Sequence, residues 1–213
     1  MVSPLPPSLT VDALLQAADN ALRALFAPAR AARSPELPQA PTLTATERRH
    51  VAGLMRVNHA GEVSAQALYH GQALMARSAA TRNYLLQAAA EEGDHLAWCE
   101  QRLGELEARP SILNPFWYAG SFAIGAAAAA FSDALRLGFL TETERQVESH
   151  LADHLGQLPA DDQRSRRILE TMQSDEVRHA HSAEARGAVE LPQWARAGMA
   201  LSSKLMTRLA YWI

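Results

Sequence analysis

Two Glu-x-x-His pairs stand out among the residues that could do chemistry. They are Glu92-Gly-Asp-His95 and Glu176-Val-Arg-His179. A spacing of three residues along a helix places both side chains of a pair on one face. A further glutamate, Glu62, is in register with the apolar stripe of its own predicted helix. Ionised carboxylates rarely occupy such positions unless they are paired or bind a metal, because removing the charge from water is costly.

This pattern predicts a dinuclear metal site. Ferritin-like bundles take one Glu from each of two helices and a Glu-x-x-His pair from each of the other two. Four carboxylates and two neutral imidazoles balance the charge of two divalent ions. Mixed oxygen and imidazole ligands favour iron or manganese over structural zinc, and redox chemistry with dioxygen favours iron. We therefore expect two iron ions.

The fourth glutamate has two candidates on the third long helix, Glu144 and Glu148. The two residues are four apart and can share a face. Their separations from Glu176 are 32 and 28 residues, equally far from the 30 residues between Glu62 and Glu92. Spacing alone leaves both candidates open.

The elements that must position these residues are helices throughout. Ala and Leu are abundant, and runs of β-branched residues are few. Thr44-x-x-Glu47 is a capping box that would open the first long helix. In two antiparallel hairpins the ligands come to matching heights, because the midpoint between Glu62 and His95, position 78.5, falls inside a predicted turn at 78–83. The predicted long helices span about 44–77, 84–109, 134–158 and 161–187, and a fifth helix follows from 193 to the C-terminus.

Composition and charge narrow the class of protein. The chain has 213 residues, of which 48% are hydrophobic and 20% charged, with a formal charge of −3. A dedicated nucleic-acid binder usually has a basic excess, so none is expected as a partner. The single cysteine, Cys99, excludes an intramolecular disulfide framework. Seven of the eleven prolines lie in residues 1–41, which predicts a Pro-rich extension with one short amphipathic helix, ahead of a domain at 42–213.

A stretch of 23 residues, 110–132, has no charged residue. Its apolar part is shorter than the roughly 18–20 residues that a membrane span needs. If the second and third long helices run parallel, the chain must cross the length of the bundle, and residues 109–133 would form that crossover. An apolar crossover predicts contact with lipid or a lipid-like ligand, and residues 191–213, basic and without acids, predict an interfacial amphipathic helix. The candidate substrate or membrane contacts are Phe116, Trp117, Phe122, Phe131, Trp194 and Trp212.

Several short runs together point to a known family. They are Arg56-Val57-Asn58-His59-Ala60-Gly61-Glu62, Asp94-His95, Pro115-Phe116-Trp117 through Gly125, Val147-Glu148 and Asp175-Glu176-x-x-His179. With these runs, the chain from about 48 to 213 resembles the demethoxyubiquinone hydroxylase family, and residues 1–41 lie outside the part shared with it. The resemblance implies a ferritin-like di-iron monooxygenase that uses dioxygen to add a ring hydroxyl late in ubiquinone synthesis. Because the family's third glutamate follows a valine, the resemblance favours Glu148 over Glu144. The implied ligands are Glu62, Glu92, His95, Glu148, Glu176 and His179.

These inferences together predict an all-α, ferritin-like four-helix bundle with an apolar crossover and an additional C-terminal amphipathic helix. The expected partners are a polyprenyl quinol substrate, dioxygen, a membrane surface and other ubiquinone-biosynthesis proteins. The expected location is the cytoplasmic face of the inner membrane, as a peripheral protein. Two alternatives stay open, a ferroxidase or iron-storage protein and a non-enzymatic quinone-binding subunit. His150 and His154, four apart, could form a second metal site, cap the third helix or assist proton transfer.

Overall fold

The described part of the chain is mainly helical. A computed structural model describes residues 10–76, 78–129 and 133–213, and these residues form helices without any β-strand. The all-α fold class predicted from the sequence is therefore confirmed. The helices are α1 (Val11–Phe26), α2 (Ala45–Leu74), α3 (Ala79–Glu105), α4 (Asn114–Ala128), α5 (Asp133–Gln157), α6 (Gln163–Ala185) and α7 (Gln193–Ala210).

Helices α2, α3, α5 and α6 form the ferritin-like four-helix bundle that the sequence predicted. Each hairpin closes through a short connection, at 75–78 between α2 and α3 and at 158–162 between α5 and α6. One apolar cluster joins all four helices because each contributes residues to it. Its buried members include Val51, Met55, Trp98, Cys99, Leu151, Ile168 and Met172.

Capping residues set the starts of the first two bundle helices. The Thr44 hydroxyl accepts a hydrogen bond from the Glu47 amide at 3.2 Å, and the Glu47 carboxylate accepts one from the Thr44 amide at 2.9 Å. The predicted capping box is confirmed. The predicted turn at 78–83 is wrong, because the Ser78 hydroxyl accepts from the Thr81 amide at 3.0 Å and starts α3 inside that polar stretch.

The uncharged crossover lies along α2 as helix α4. The two helices approach backbone to backbone, because a Cβ at Gly71 would lie 2.2 Å from the carbonyl oxygen of Phe122. On the other helix, a Cβ at Gly125 would lie 2.2 Å from the carbonyl oxygen of Leu68. This close fit holds the crossover against the bundle. Among the described residues, no helix has the length and apolar character needed to cross a bilayer.

The two ends of the chain pack on the outside of the bundle. Helix α1 contacts the bundle through Ala21, Ala24 and Leu25, and residues 27–41 continue from it without regular secondary structure. Helix α7 is fixed at its end by Tyr211, whose hydroxyl lies 2.7 Å from His50 Nδ1. The division of the chain into units at residue 42 stays a prediction.

Candidate metal centre

The predicted ligands of α2, α3 and α6 meet in the middle of the bundle. All five are buried, and the Glu62 residue is only 2% exposed. His95 Nδ1 lies 3.1 Å from Glu92 Oε2 and 3.2 Å from Glu176 Oε1, and it lies 3.6 Å from Glu62 Oε2. His179 Nδ1 lies 3.3 Å from Glu92 Oε1 and 3.8 Å from Glu176 Oε2.

The glutamate that α5 contributes is Glu144. It is 1% exposed, and the hydroxyl of Tyr69 donates a hydrogen bond to its Oε1. Glu148 is partly exposed and belongs to neither of the two metal-capable groups found among the described residues. That Glu148 is the fourth carboxylate stays a prediction, and in the structure Glu144 takes this place in the cluster.

The rotation of α5 about its axis explains why Glu144, and not Glu148, lies in the cluster. Buried Leu151 and Leu158 are seven residues apart, and Glu144 lies another seven residues before Leu151. Residues seven apart return to nearly the same side of a helix, so Glu144 occupies the row that faces the bundle centre. Glu148 lies one turn further along and is rotated away from that row. The seven-residue spacing between Glu144 and Leu151 is the sequence feature that favours Glu144, whereas Val147 before Glu148 favours Glu148 through the family resemblance.

The six side chains form two overlapping groups. Within each group, one oxygen or nitrogen atom from every residue lies within 4.8 Å of the others. Two glutamates belong to both groups, and each group adds one glutamate and one histidine of its own. The groups are Glu62, Glu92, His95 and Glu176, and Glu92, Glu144, Glu176 and His179.

Unsatisfied polar atoms show that this set fits metal ions. Both carboxylate oxygens of Glu92 and of Glu176 are buried and have no hydrogen-bond partner among the described residues. The same holds for the Nδ1 atoms of His95 and His179. Buried polar atoms almost always have a partner, so a cluster without one calls for a cation. The donor set can therefore hold two metal ions, with the shared glutamates between them.

Each histidine is oriented by an acid from the opposite hairpin. His95 of α3 donates from Nε2 to Asp175 of α6 at 3.1 Å, and His179 of α6 donates to Glu91 of α3 at 2.8 Å. A hydrogen bond at Nε2 leaves Nδ1 free to bind a metal and fixes the orientation of the ring. Each acid immediately precedes the glutamate of a Glu-x-x-His pair, which gives both motifs the form acid-Glu-x-x-His.

Protons on the side chains of the cluster offset the negative charge of its buried carboxylates. Burial, reinforced by the neighbouring carboxylates, raises the pKa of Glu62 and of Glu144 well above the ordinary value. Burial opposes the charged form of the two histidines, but the carboxylates around them outweigh it. They raise the pKa of His95 well above its ordinary value and that of His179 to about 12. Two neutral acids and two imidazolium ions thus offset the two shared glutamates.

The run from Arg56 to Glu62 ties three further helices to the centre. Asn58 Oδ1 lies 2.9 Å from His154 Nδ1 on α5, and Arg56 donates to the carbonyl oxygen of Tyr211, just after α7, at 2.7 Å. His59 Nδ1 lies 3.2 Å from an asparagine amide at the start of α4. The side chains around Glu62 therefore connect the metal centre to the helices that surround it.

A cavity of about 460 Å³ opens beside the metal centre, between α2, α4, α5 and α7. Glu62 lies on its wall, so the same carboxylate belongs to the cavity and to the cluster. The rest of the lining is mainly apolar. It includes Phe116, Trp117, Phe139, Val147, Leu151, Met199 and Met206.

The aromatic residues expected to contact substrate or membrane divide into three sets. Phe116 and Trp117 line the cavity. Trp194 and Trp212 are exposed on or beside α7, outside the lining. Phe122 packs beside Tyr118 in the cluster that α1 contacts and does not line the cavity, so its contact with substrate or membrane stays a prediction. Phe131 lies outside the described residues.

The fold and the site define a ferritin-like helical bundle whose buried carboxylates and histidines can hold metal. Residues 49–210 match the family described as "Ubiquinone biosynthesis protein COQ7", and the chain belongs to that family. The resemblance found in the sequence is thereby confirmed.

Curated relatives extend the similarity to nearly the whole chain. The 3-demethoxyubiquinol 3-hydroxylase of Bordetella parapertussis is 55% identical over 208 residues, which cover 95% of this chain and 93% of that protein. Enzymes of the same name match from Burkholderia ambifaria (53% identity, 96% of this chain and 100% of that protein) and Acinetobacter baylyi (55%, 95% and 97%). The family match begins at residue 49, but these relatives also share much of the N-terminal segment. The start of the family match agrees with the expectation that residues 1–41 lie outside the part shared by the family.

A pair of substitutions on α5 tests which glutamate completes the site. We expect Glu144→Gln to weaken binding of one metal ion by more than the roughly 10–100-fold typical of changes behind a ligand, because a direct donor is lost. Glu148→Gln is the matched control and should bind both ions as the unchanged protein does. Anaerobic titration with Fe²⁺, followed by metal analysis, measures both. Loss of metal from the Glu148 variant alone would contradict the placement.

Metal loading should release protons. The raised pKa values favour the protonated forms of Glu62, Glu144, His95 and His179, whereas a metal ligand must be deprotonated. We expect protons to be released as two divalent ions bind, and the affinity for metal to rise with pH. A pH indicator in weakly buffered anaerobic solution counts the protons. Loading without proton release, or an affinity that is independent of pH, would contradict this charge balance.

Proposed function

We propose that this chain is an oxygen-dependent di-iron hydroxylase of ubiquinone biosynthesis that acts on 3-demethoxyubiquinol, the substrate in the name of its relatives. The observation that carries the proposal is the position of Glu62. It belongs both to a six-residue cluster able to hold two metal ions and to the wall of an apolar cavity large enough for an aromatic ring. A ring in that cavity would lie next to the metal centre.

Two iron ions held by the Glu and His cluster would supply the reductive activation of dioxygen. In the overall reaction a ring C–H bond becomes C–OH, and the second oxygen atom of dioxygen leaves as water. This balance takes up two electrons and two protons from an external donor. A ferroxidase has no use for an apolar cavity beside its metal ions, so the cavity favours the hydroxylase over that alternative.

The chain's own residues bind and orient the ring. Phe116 and Trp117 supply aromatic surface on the α4 side, and the apolar lining keeps water away from the ring. On the α5 side, His150 lines the cavity, and its buried Nε2 atom has no partner among the described residues. Burial lowers the pKa of this imidazole, so it is neutral at pH 7 and can accept a proton from a quinol hydroxyl at Nε2.

The neighbouring His154 completes this path. Its ring centroid lies 3.9 Å from that of His150, and its Nδ1 atom lies 2.9 Å from Asn58 Oδ1. Burial lowers the pKa of His154 to about 3. The pair is absent from the metal-capable groups of the described residues, and we therefore assign it to proton transfer rather than to a second metal site.

The polyprenyl tail of the proposed substrate and the exposed apolar surface of the protein favour a peripheral position of this chain on the cytoplasmic face of the inner membrane. Phe116 and Ile124 are exposed at the α4 side of the cavity. Helix α7 lines the other side and presents an exposed apolar row with basic residues nearby, a composition typical of interfacial helices. The row consists of Trp194, Leu201, Leu205 and Trp212.

Complementation tests the proposed activity. A strain that lacks its own hydroxylase accumulates demethoxyubiquinone, and we expect this chain to restore ubiquinone. Glu176→Ala should abolish the activity because it removes a shared ligand of both groups. Ser174→Ala, an exposed position on the same helix, is the matched control. Quinone profiling by mass spectrometry, with protein levels checked by immunoblot, measures the result. Accumulation with the unchanged chain, or activity in the Glu176 variant, would overturn the proposal.

Vesicle binding tests the membrane surface. Leu205 is 58% exposed on α7, and burying a leucine contributes about 1.5–3 kcal/mol. Leu205→Glu should therefore weaken binding to phosphatidylglycerol vesicles about tenfold or more. Ala90→Glu adds the same charge at an exposed position on α3 and should bind as the unchanged protein does. Equal flotation of all three proteins would contradict the proposed surface.

A further inference from the structure

A segment of the N-terminal extension lies across the bundle close to the metal centre. We call residues 29–38 the strap. The Ala29 amide donates to Glu100 Oε2 at 2.9 Å, and the Ala32 amide donates to Asp94 Oδ1 at 2.6 Å. At the far end, Arg164 donates to the Pro38 carbonyl oxygen at 2.8 Å. The strap is thus bound to α3 by its backbone amides and to α6 by its last carbonyl.

Arg33 is the strap residue with the most contacts to both helices. Its Nη2 atom donates to Asp175 Oδ2 at 2.5 Å, and its Nε atom lies 3.2 Å from Asp94 Oδ2. Its guanidinium lies 5.2 Å from the centre of the Trp98 ring, and the Trp98 indole donates to its carbonyl oxygen at 2.9 Å. These contacts fix the guanidinium although the side chain is 43% exposed.

The contact with Asp175 leads directly to a metal ligand. The same oxygen, Oδ2, accepts the hydrogen bond from His95 Nε2 at 3.1 Å. Arg33, Asp175 and His95 therefore form a chain that ends at the Nδ1 atom facing the glutamates. The corresponding acid of the other histidine, Glu91, lies 3.3 Å from Arg178 of α6, which also donates to Asp175 Oδ1 at 3.0 Å. In these contacts the strap touches the acid bonded to His95 and not the acid bonded to His179.

We infer that Arg33 is a positioning residue for the metal ion on the His95 side. It holds the Asp175 carboxylate in place, which keeps the His95 ring turned so that Nδ1 faces the metal. This inference rests on the proposed function only in taking the cluster as a metal centre. The N-terminal extension then has a role in the chemistry of the bundle, although the family match begins after it.

Metal titration tests the inference directly. We expect Arg33→Met to weaken one of the two Co²⁺ sites about tenfold, the lower end of the usual effect of partners behind a ligand, and to leave the other unchanged. Arg33→Lys should restore part of the loss. Arg30→Met removes the same charge from an exposed position in the strap and should match the unchanged protein. Visible absorption of Co²⁺ under anaerobic conditions follows the two sites. Identical titrations of the Arg33→Met and Arg30→Met proteins would overturn the inference.

A double variant separates positioning from simple clamping of the helices. If Arg33 acts through Asp175, the Arg33→Met/Asp175→Asn protein should bind Co²⁺ as Asp175→Asn alone does. If Arg33 only clamps the bundle, the two losses should multiply, and both metal sites should weaken together with the thermal midpoint of the metal-free protein. That second pattern would overturn the inference.

The metal titration and the complementation experiment test different claims, so one claim can fail while the other stands. If the unchanged chain binds two Co²⁺ ions but does not complement the hydroxylase-deficient strain, the proposed function fails and the result for Arg33 still stands. If the unchanged chain complements and the Arg33→Met protein binds metal normally, the inference fails and the function stands.

Discussion

Four buried carboxylates at the centre of a helical bundle are the constraint on which the rest of this structure depends. Each carboxylate removed from water costs several kcal/mol unless positive charge is placed beside it. The histidines at 95 and 179 supply part of that charge, either as imidazolium ions or as ligands of metal ions. The helices must run in antiparallel pairs with the six side chains at one level, because any other arrangement leaves a carboxylate without compensation.

The local part of this arrangement was readable from the sequence. Glu-x-x-His spacing and the apolar stripes predicted five of the six residues that the structure brings together, because both depend only on helical geometry. Spacing left Glu144 and Glu148 open, and the choice of Glu148 depended on a matching valine. It stays a prediction, while the structure places Glu144, seven residues before Leu151, in the cluster. Ser78 was assigned to a turn because polar residues favour both turns and the first residue of a helix.

Contacts between distant parts of the chain could not be predicted in the same way. The partnerships of Asp175 with His95 and of Glu91 with His179 depend on how two hairpins pack, and no local spacing encodes that packing. The crossover was predicted from its lack of charge, but its backbone contact at Gly71 and Gly125 depends on the path of α4 along α2. The sequence predicted the strap only as part of a Pro-rich extension, because prolines block helix formation. Backbone amides that lack helical partners are free to bind acids such as Asp94.

The crosswise pairing of histidines and acids also fixes the alignment of the two hairpins. Sliding α6 along α3 by one turn, about 5.4 Å, would break the bonds of both histidines to their acids at the same time. Apolar side chains alone tolerate such slips, since one leucine can replace another at the same contact. The polar centre therefore fixes the register of the two hairpins. The bonds that determine how the hairpins assemble also determine where the ligands lie.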